Sequence, residues 1–186
     1  HRLTRTMVRK EAAGKRFLNL FCYTGTFTCY AADGGAVSSV SVDLSPRYLE
    51  WAEANLQMNG LAGDHRFIRA DVMKFLMNPD RYGIEEPFDL CVCDPPTFSN
   101  SKSTESDWDV RRRHVELLRL LAELIAPGGI VYFSSNFRQF RLDENSLTDL
   151  YRIREITNRT VPEEFRNKRI HKAWRMERCV SQNVGN

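Results

Sequence analysis

Phe88-Asp89-Leu90-Cys91-Val92-Cys93-Asp94-Pro95-Pro96 is the stretch on which the reading of this chain turns. From Phe88 to Cys93 only Asp89 is polar, which is the composition of a strand covered on both faces. The run stops at a carboxylate followed by two prolines, neither of which can donate to a sheet ladder. A strand that ends this way belongs in the middle of a parallel sheet, where ligands collect beyond the carboxyl ends of the strands.

Working outward, the same alternation of strand and helix repeats. Upstream, Arg16 to Phe21 reads as a first strand, followed by a glycine-bearing turn and a helix from Thr26 to Asp33 that Gly34-Gly35 stops. Val37 to Val42 is a second strand ending in Asp43. Ser45 then serves as N-cap and Pro46 as first residue of a helix reaching Asn59-Gly60, with Tyr48, Leu49, Ala52 and Leu56 as its apolar stripe. His65 to Ala70 is a third strand ending in Asp71, and a helix follows to Met77. Downstream, a polar loop over 97–107 precedes a long amphipathic helix through Leu124 and Ile125, closed by Pro127-Gly128-Gly129. Ile130 to Ser134 gives a fifth strand, with two more expected at Ile153 to Val161 and Ile170 to Met176. Residues 2–13 read as a short basic helix ending at Gly14. The pattern predicts a doubly wound α/β fold: a seven-stranded, mostly parallel sheet with helices on both faces, in one compact domain over residues 1–186.

Composition narrows the function. The chain has 186 residues, 42% of them hydrophobic, enough for one core. No run approaches the roughly twenty apolar residues of a bilayer span, and His1-Arg2-Leu3-Thr4-Arg5 lacks the apolar centre of a signal peptide, so a soluble, cytoplasmic protein is expected. Five scattered cysteines, an odd number, argue for reduced thiols and against a disulfide framework. The spacing of Cys91 and Cys93 puts both on one sheet face, without the CxxC of a zinc knuckle, so no metal is expected. Net charge is only +3, but the cations are bunched: Arg2, Arg5, Arg9 and Lys10; Arg111 to Arg113; and Arg166, Lys168, Arg169 and Lys172. Such bunching suits a nucleic-acid partner and equally suits a solvated surface.

The chemistry-bearing residues follow strands. The first loop, Phe21-Cys22-Tyr23-Thr24-Gly25, has one glycine, through which backbone could approach a ligand, and lacks the GxGxxG that cradles a dinucleotide pyrophosphate. A methyl-donor cofactor has no pyrophosphate; its methionine portion needs polar contacts, for which Asn19, Tyr23 and Thr24 are candidates. Asp43 could accept both ribose hydroxyl protons of an adenosine, and Asp71 a proton of the adenine amino group. Either would also serve as a helix N-cap. With Asp94 they make three acidic strand ends in one chain. Asp94-Pro95-Pro96, held rigid by the prolines, could orient a planar base.

The run Phe17-Leu-Asn-Leu-Phe-Cys-Tyr-Thr-Gly-Thr-Phe27, with Val42-Asp43-Leu44-Ser45, Asp71-Val72 and Asp94-Pro-Pro-Thr-Phe-Ser-Asn-Ser-Lys102, resembles the RlmK-type ribosomal RNA guanine-N7 methyltransferases, the C-terminal half of bifunctional RlmKL. It is similar, more loosely, to the RlmI-like cytosine-C5 enzymes. The resemblance spans nearly the whole chain. It implies a class I, Rossmann-like methyltransferase fold, S-adenosylmethionine as cofactor, and a guanine of 23S, large-subunit ribosomal RNA as substrate. It adds Phe21, Gly25, Leu44, Val72 and Asp94 to the cofactor-binding positions. It also implies an upstream portion beyond this chain, with residues 1–14 as the tail of a longer segment.

A pyrimidine-C5 methylase needs a thiolate to attack C6. The RlmI-like proteins place a cysteine after the fifth strand, where this chain reads Phe133-Ser134-Ser135-Asn136. An adenine-N6 enzyme usually has an aromatic directly after the Pro-Pro, where this chain has Thr97, with Phe98 one place on. Guanine N7 carries an in-plane lone pair and needs neither nucleophile nor strong base. In-line displacement is therefore expected, with Asp94, Pro95 and Pro96 orienting the base and Phe98 stacking on it. Lys102, Arg111, Arg112, Arg113 and Arg138 are candidate phosphate contacts, with intrahelical pairing to Asp107, Asp109 or Glu116 as their alternative. Rival readings are methylation at cytosine C5 or adenine N6, a nicotinamide-dependent oxidoreductase, and a noncatalytic RNA-binding module.

Overall fold

The computed structural model describes residues 1–99, 108–160 and 171–180. In chain order its elements are α1 (Arg2–Glu11), β1 (Arg16–Leu20), α2 (Thr26–Asp33), β2 (Ser38–Asp43), α3 (Pro46–Met58), β3 (Asp64–Arg69), α4 (Val72–Met77), β4 (Phe88–Cys93), β5 (Phe98–Ser99), β6 (Trp108–Asp109), α5 (Val110–Glu123), β7 (Ile125–Ser135), β8 (Tyr151–Glu155), α6 (Thr157–Thr160) and β9 (Lys172–Arg178). Seven strands form one sheet in the order β3-β2-β1-β4-β7-β9-β8. The first five of these run parallel, and β9 is antiparallel to both of its neighbours. Strand order reverses between β1 and β4, the switch point at which open α/β sheets bind ligands. This is the Rossmann-like class I architecture that the sequence predicts.

β4 shows why its sequence is nearly all apolar. Leu90 and Val92 face a core shared with Val8 of α1, its C-cap Ala12, and Phe27 and Ala31 of α2. Cys91 and Cys93 face the opposite core, built on Val72, Phe75 and Leu76 of α4 and Leu117, Leu118 and Leu121 of α5. With both faces covered, alternation between polar and apolar residues has no place on this strand. At the start of α3, Ser45 accepts the Tyr48 N–H at 3.4 Å and Pro46 opens the helix, as expected.

Several boundaries differ. Pro127-Gly128-Gly129 does not separate α5 from a strand beginning at Ile130; β7 already starts at Ile125. Phe88 pairs with Ile125 and Leu90 with Ile130, so the intervening residues bulge out of the ladder, with Gly128 at φ +77°. The strand expected over 153–161 ends at Glu155 and turns into α6, and the last strand starts at Lys172; Val161 and Ile170 lie outside the described residues. At the start of the expected polar loop over 97–107, Phe98 pairs with Asp109 and Ser99 with Trp108 in a short antiparallel ribbon. No helix among the described residues is long and apolar enough to cross a membrane.

Candidate active site

A cleft of about 710 Å³ opens at the carboxyl ends of the strands around the switch point. The loop after β1 contributes Phe21 and Tyr23, and the loop after β2 Asp43 and Leu44. Asp71 and Val72 follow β3, and Asp94, Pro95 and Pro96 follow β4. Segments dispersed over some seventy-five residues of sequence thus line one cavity of the size that holds a nucleoside-containing ligand.

The loop after β1 is strained. Phe21 at φ +57° and Tyr23 at φ +49° are both left-handed without being glycine, which costs about 1–2 kcal/mol each. Neighbouring backbone holds them there. The Cys22 N–H donates to the Val42 carbonyl at 3.0 Å, and the Tyr23 N–H to Asp43 Oδ2 at 3.0 Å. Asp43 Oδ1 accepts the Ser45 N–H at 2.9 Å. The carboxylate therefore stitches two strand ends together, and each oxygen keeps a lone pair for a ligand hydroxyl. Strain of this kind persists only where the surroundings enforce it, as at binding sites. Tyr23, 55% exposed, meets Tyr48 edge-on at 4.5 Å, and both rings line the cleft.

Asp71 fills both roles that its position allows: it caps α4 by accepting the Lys74 N–H at 3.1 Å, and it lines the cleft. Asp94 is more constrained. Ser134 donates its hydroxyl to Oδ1 at 2.6 Å, and His1 Nε2 lies 3.3 Å from Oδ2. Burial pushes the Asp94 carboxyl above its ordinary range, and the Ser134 hydrogen bond pulls the other way. The Trp108 indole donates to the Pro96 carbonyl at 2.8 Å and packs on Phe21 at 5.6 Å, bracing the proline turn from the β5–β6 ribbon.

Not every expected residue reaches the cleft. Asn19 is buried and donates to Thr28 Oγ1 at 2.9 Å, which in turn shares a hydrogen bond with Ser41 Oγ at 2.7 Å; it joins β1, α2 and β2 from within. Thr24 is turned so that its carbonyl accepts the Asn55 side-chain amide at 2.8 Å. Gly25 lies outside the cleft lining and is required by packing, since a Cβ there would lie 2.5 Å from Ala52 Cβ. Phe98 is 53% exposed and lies outside the cleft lining, with the Arg111 guanidinium 4.9 Å over its ring. Arg111 and Arg113 take the intrahelical alternative, pairing with Asp109 at 2.7 Å and Glu116 at 3.0 Å, while Arg112 approaches Asp109 only to 3.9 Å. Arg138 is exposed, and Lys102 and Asp107 lie outside the described residues.

Sequence reasoning missed Tyr48, Trp108 and Asn136 as lining residues and Ser134 as the partner of Asp94. Tyr48 belongs to the apolar stripe of α3, which by itself indicates packing and not a ligand. Only the two-residue ribbon brings Trp108 back across the proline turn. Thiol chemistry has no group at the cleft: all five cysteines are free and none lines it. Burial pushes the thiols of Cys22, Cys91 and Cys93 well above the ordinary range, making them core residues. No group of three or more His, Cys, Asp or Glu side chains that could hold a metal is found among the described residues.

Comparison with known proteins agrees with this geometry. A family model described as S-adenosylmethionine-dependent methyltransferase matches residues 1–170. Proteins named ribosomal RNA large subunit methyltransferase K/L are 52% identical in Pseudomonas entomophila and Pseudomonas aeruginosa, each over 95% of this chain, and 50% identical in Syntrophotalea carbinolica over 96%. The chain spans about a quarter of the length of these relatives, between 23% and 24%. Among solved structures, SMU.776 in complex with SAH superposes with a TM-score of 0.76 at 24% identity, covering 95% of this chain and 48% of that one. A SAM-dependent methyltransferase from Agrobacterium tumefaciens gives 0.66 at 22%, covering 96% and 59%. Both likenesses concern the fold. The nicotinamide-dependent and noncatalytic readings fall with the family match. With its cleft at the switch point, its three acidic strand ends and its match over residues 1–170, this chain belongs to the S-adenosylmethionine-dependent methyltransferase family.

Proposed function

We propose that the chain transfers a methyl group from S-adenosylmethionine to N7 of a guanine in large-subunit ribosomal RNA. The substrate class follows the names of the K/L relatives. The position on the base rests on one observation: at the end of β7, where a C5 enzyme needs a thiolate, the Ser134 hydroxyl is bonded to Asp94 at 2.6 Å.

The cleft suits the cofactor. Asp43 offers two oriented carboxylate oxygens for vicinal hydroxyls, Asp71 an acceptor for an exocyclic amine, and Phe21, Tyr23, Leu44 and Val72 the apolar walls for a flat ring. When bound, S-adenosylmethionine supplies an electrophilic methyl on a sulfonium centre. The protein's share is placement and field. Pro95 and Pro96 set a rigid rim, braced by Trp108, against which a purine is oriented. The in-plane lone pair of N7 forms the new bond without loss of a proton, so no general base is needed. Asp94 lies at that rim to balance the positive charge that the purine acquires. A base inside a helix does not reach this rim, so an extruded or single-stranded guanine is the substrate. Phe98, two residues beyond Pro96 and covered by Arg111, offers a stacking surface beside it.

The test combines titration calorimetry with labelled methyl transfer to unmodified large-subunit ribosomal RNA, followed by cleavage chemistry specific for 7-methylguanine. Asp43→Ala is expected to abolish cofactor binding. Asp94→Ala should lose transfer at saturating cofactor by about 10²-fold or more. NAD should not bind. Label at cytosine C5 or adenine N6 overturns the N7 reading, and absence of transfer to RNA overturns the substrate class.

A further inference from the structure

Away from the cleft, α1, β7, β8, β9 and α6 enclose a second groove, of about 460 Å³. Its charge is one-sided: Lys10, Arg154, Arg159 and Arg175 line it against one carboxylate, Glu11. Glu11 is already engaged, accepting the Tyr132 hydroxyl at 3.0 Å and the Arg175 guanidinium at 3.2 Å. Lys10, Arg154 and Arg159 are exposed and have no carboxylate partner among the described residues.

The strand register sharpens the point. Arg154 lies directly opposite Arg175 in the β8–β9 ladder, and like charges so placed destabilise a sheet. The neighbouring pair on the same face, Arg152 opposite Glu177, has the ordinary complementary arrangement at 3.7 Å. Glu11 neutralises Arg175, and among the described residues no carboxylate compensates Arg154. Folding supplies no reason for that guanidinium pair, whereas an anion lying in the groove does.

The groove is also on the side of the sheet from which Asp94 projects. Val92 and Tyr132 share the α1-side core, and Asp94 and Ser134, two residues further along the same strands, stay on that side. His1, just ahead of α1, touches Asp94, and Lys10 lies about 13 Å further along the helix axis. We infer that the groove binds the phosphodiester backbone of the RNA that leads away from the target base, with Arg154 and Arg159 as its principal phosphate contacts. This inference rests on the ribosomal RNA reading above.

The experiment measures binding of the 186-residue chain to a single-stranded ribosomal RNA fragment by fluorescence anisotropy across a salt series, alongside methyl transfer. Arg154→Gln with Arg159→Gln should weaken RNA binding on the order of 10- to 30-fold near 0.1 M salt and flatten the slope of log K against log salt by about 1.4. Cofactor affinity should not change, and the melting temperature should not fall, since Arg154→Gln removes a like-charge pair from the ladder. Arg152→Gln, next to the groove, should leave the slope as in the wild type. An unchanged slope in the double variant, or an equal loss in Arg152→Gln, overturns the inference while the methyltransferase reading stands. A wild-type chain that neither binds nor methylates RNA overturns both. An acidic peptide that occupies the groove when RNA does not would assign it to a protein partner and also overturn the inference.

Discussion

Asp94 shows how a carboxylate is held ready at the end of a buried strand. Burial raises its pKa, and the hydroxyl of Ser134 opposes that shift. A carboxyl whose folded-state pKa exceeds its unfolded value contributes stability that is complete below the unfolded value, near pH 4, and is lost as pH rises through the folded one. Ser134→Ala removes the opposing hydrogen bond and pushes the Asp94 pKa further up. The variant should therefore be nearly as stable as the wild type at about pH 3 and fall behind by about 1–2 kcal/mol at pH 7. Urea denaturation at the two pH values checks this, and an equal gap at both would contradict it. At this scale the acidic strand ends are legible because their position in the chain, at a strand's last residue or within two residues beyond it, is also their position in space. Asn19 is not, because its side chain turns inward to Thr28 rather than outward to the cleft.

The elements are packed more closely than the sequence indicates. Gly25 stands at φ +69° with Ala52 of α3 against it, so a methyl group there meets both a disfavoured backbone and an occupied space. Gly25→Ala should cost about 2–3 kcal/mol and lower the melting temperature by roughly 5–10 °C. Adding Ala52→Gly should recover part of the loss by removing the contact but not the φ strain. Thermal melts of the single and double variants check this; full recovery or none would contradict it. Gly34 is likewise pressed against the α1 end, where a Cβ would collide with the Arg9 carbonyl. The Pro-Gly-Gly of β7 reads as punctuation in the sequence because turns and bulges use the same residues. Only pairing with Phe88 and Leu90 shows that the strand continues through it.

On the scale of the molecule, one sheet carries both cores, so neither face can open without exposing β4. The chain is therefore expected to melt in a single transition. S-adenosylmethionine at a hundred times its Kd should stabilise it by about 2.7 kcal/mol, a rise of roughly 5–10 °C. Calorimetric melts with and without cofactor check both statements; two separate transitions, or no shift, would contradict them. The class of sheet, its central strand and the acidic residues of the cleft were determined by sequence alone, because burial on two faces and a stop at Asp-Pro-Pro are local properties of a strand. Tertiary structure alone decided that Trp108 braces the Pro96 turn, that Ser134 meets Asp94, and that Arg154 faces Arg175. Each of those pairings joins residues twelve to forty positions apart. Their meeting depends on strand order and register, which no local pattern of residues encodes.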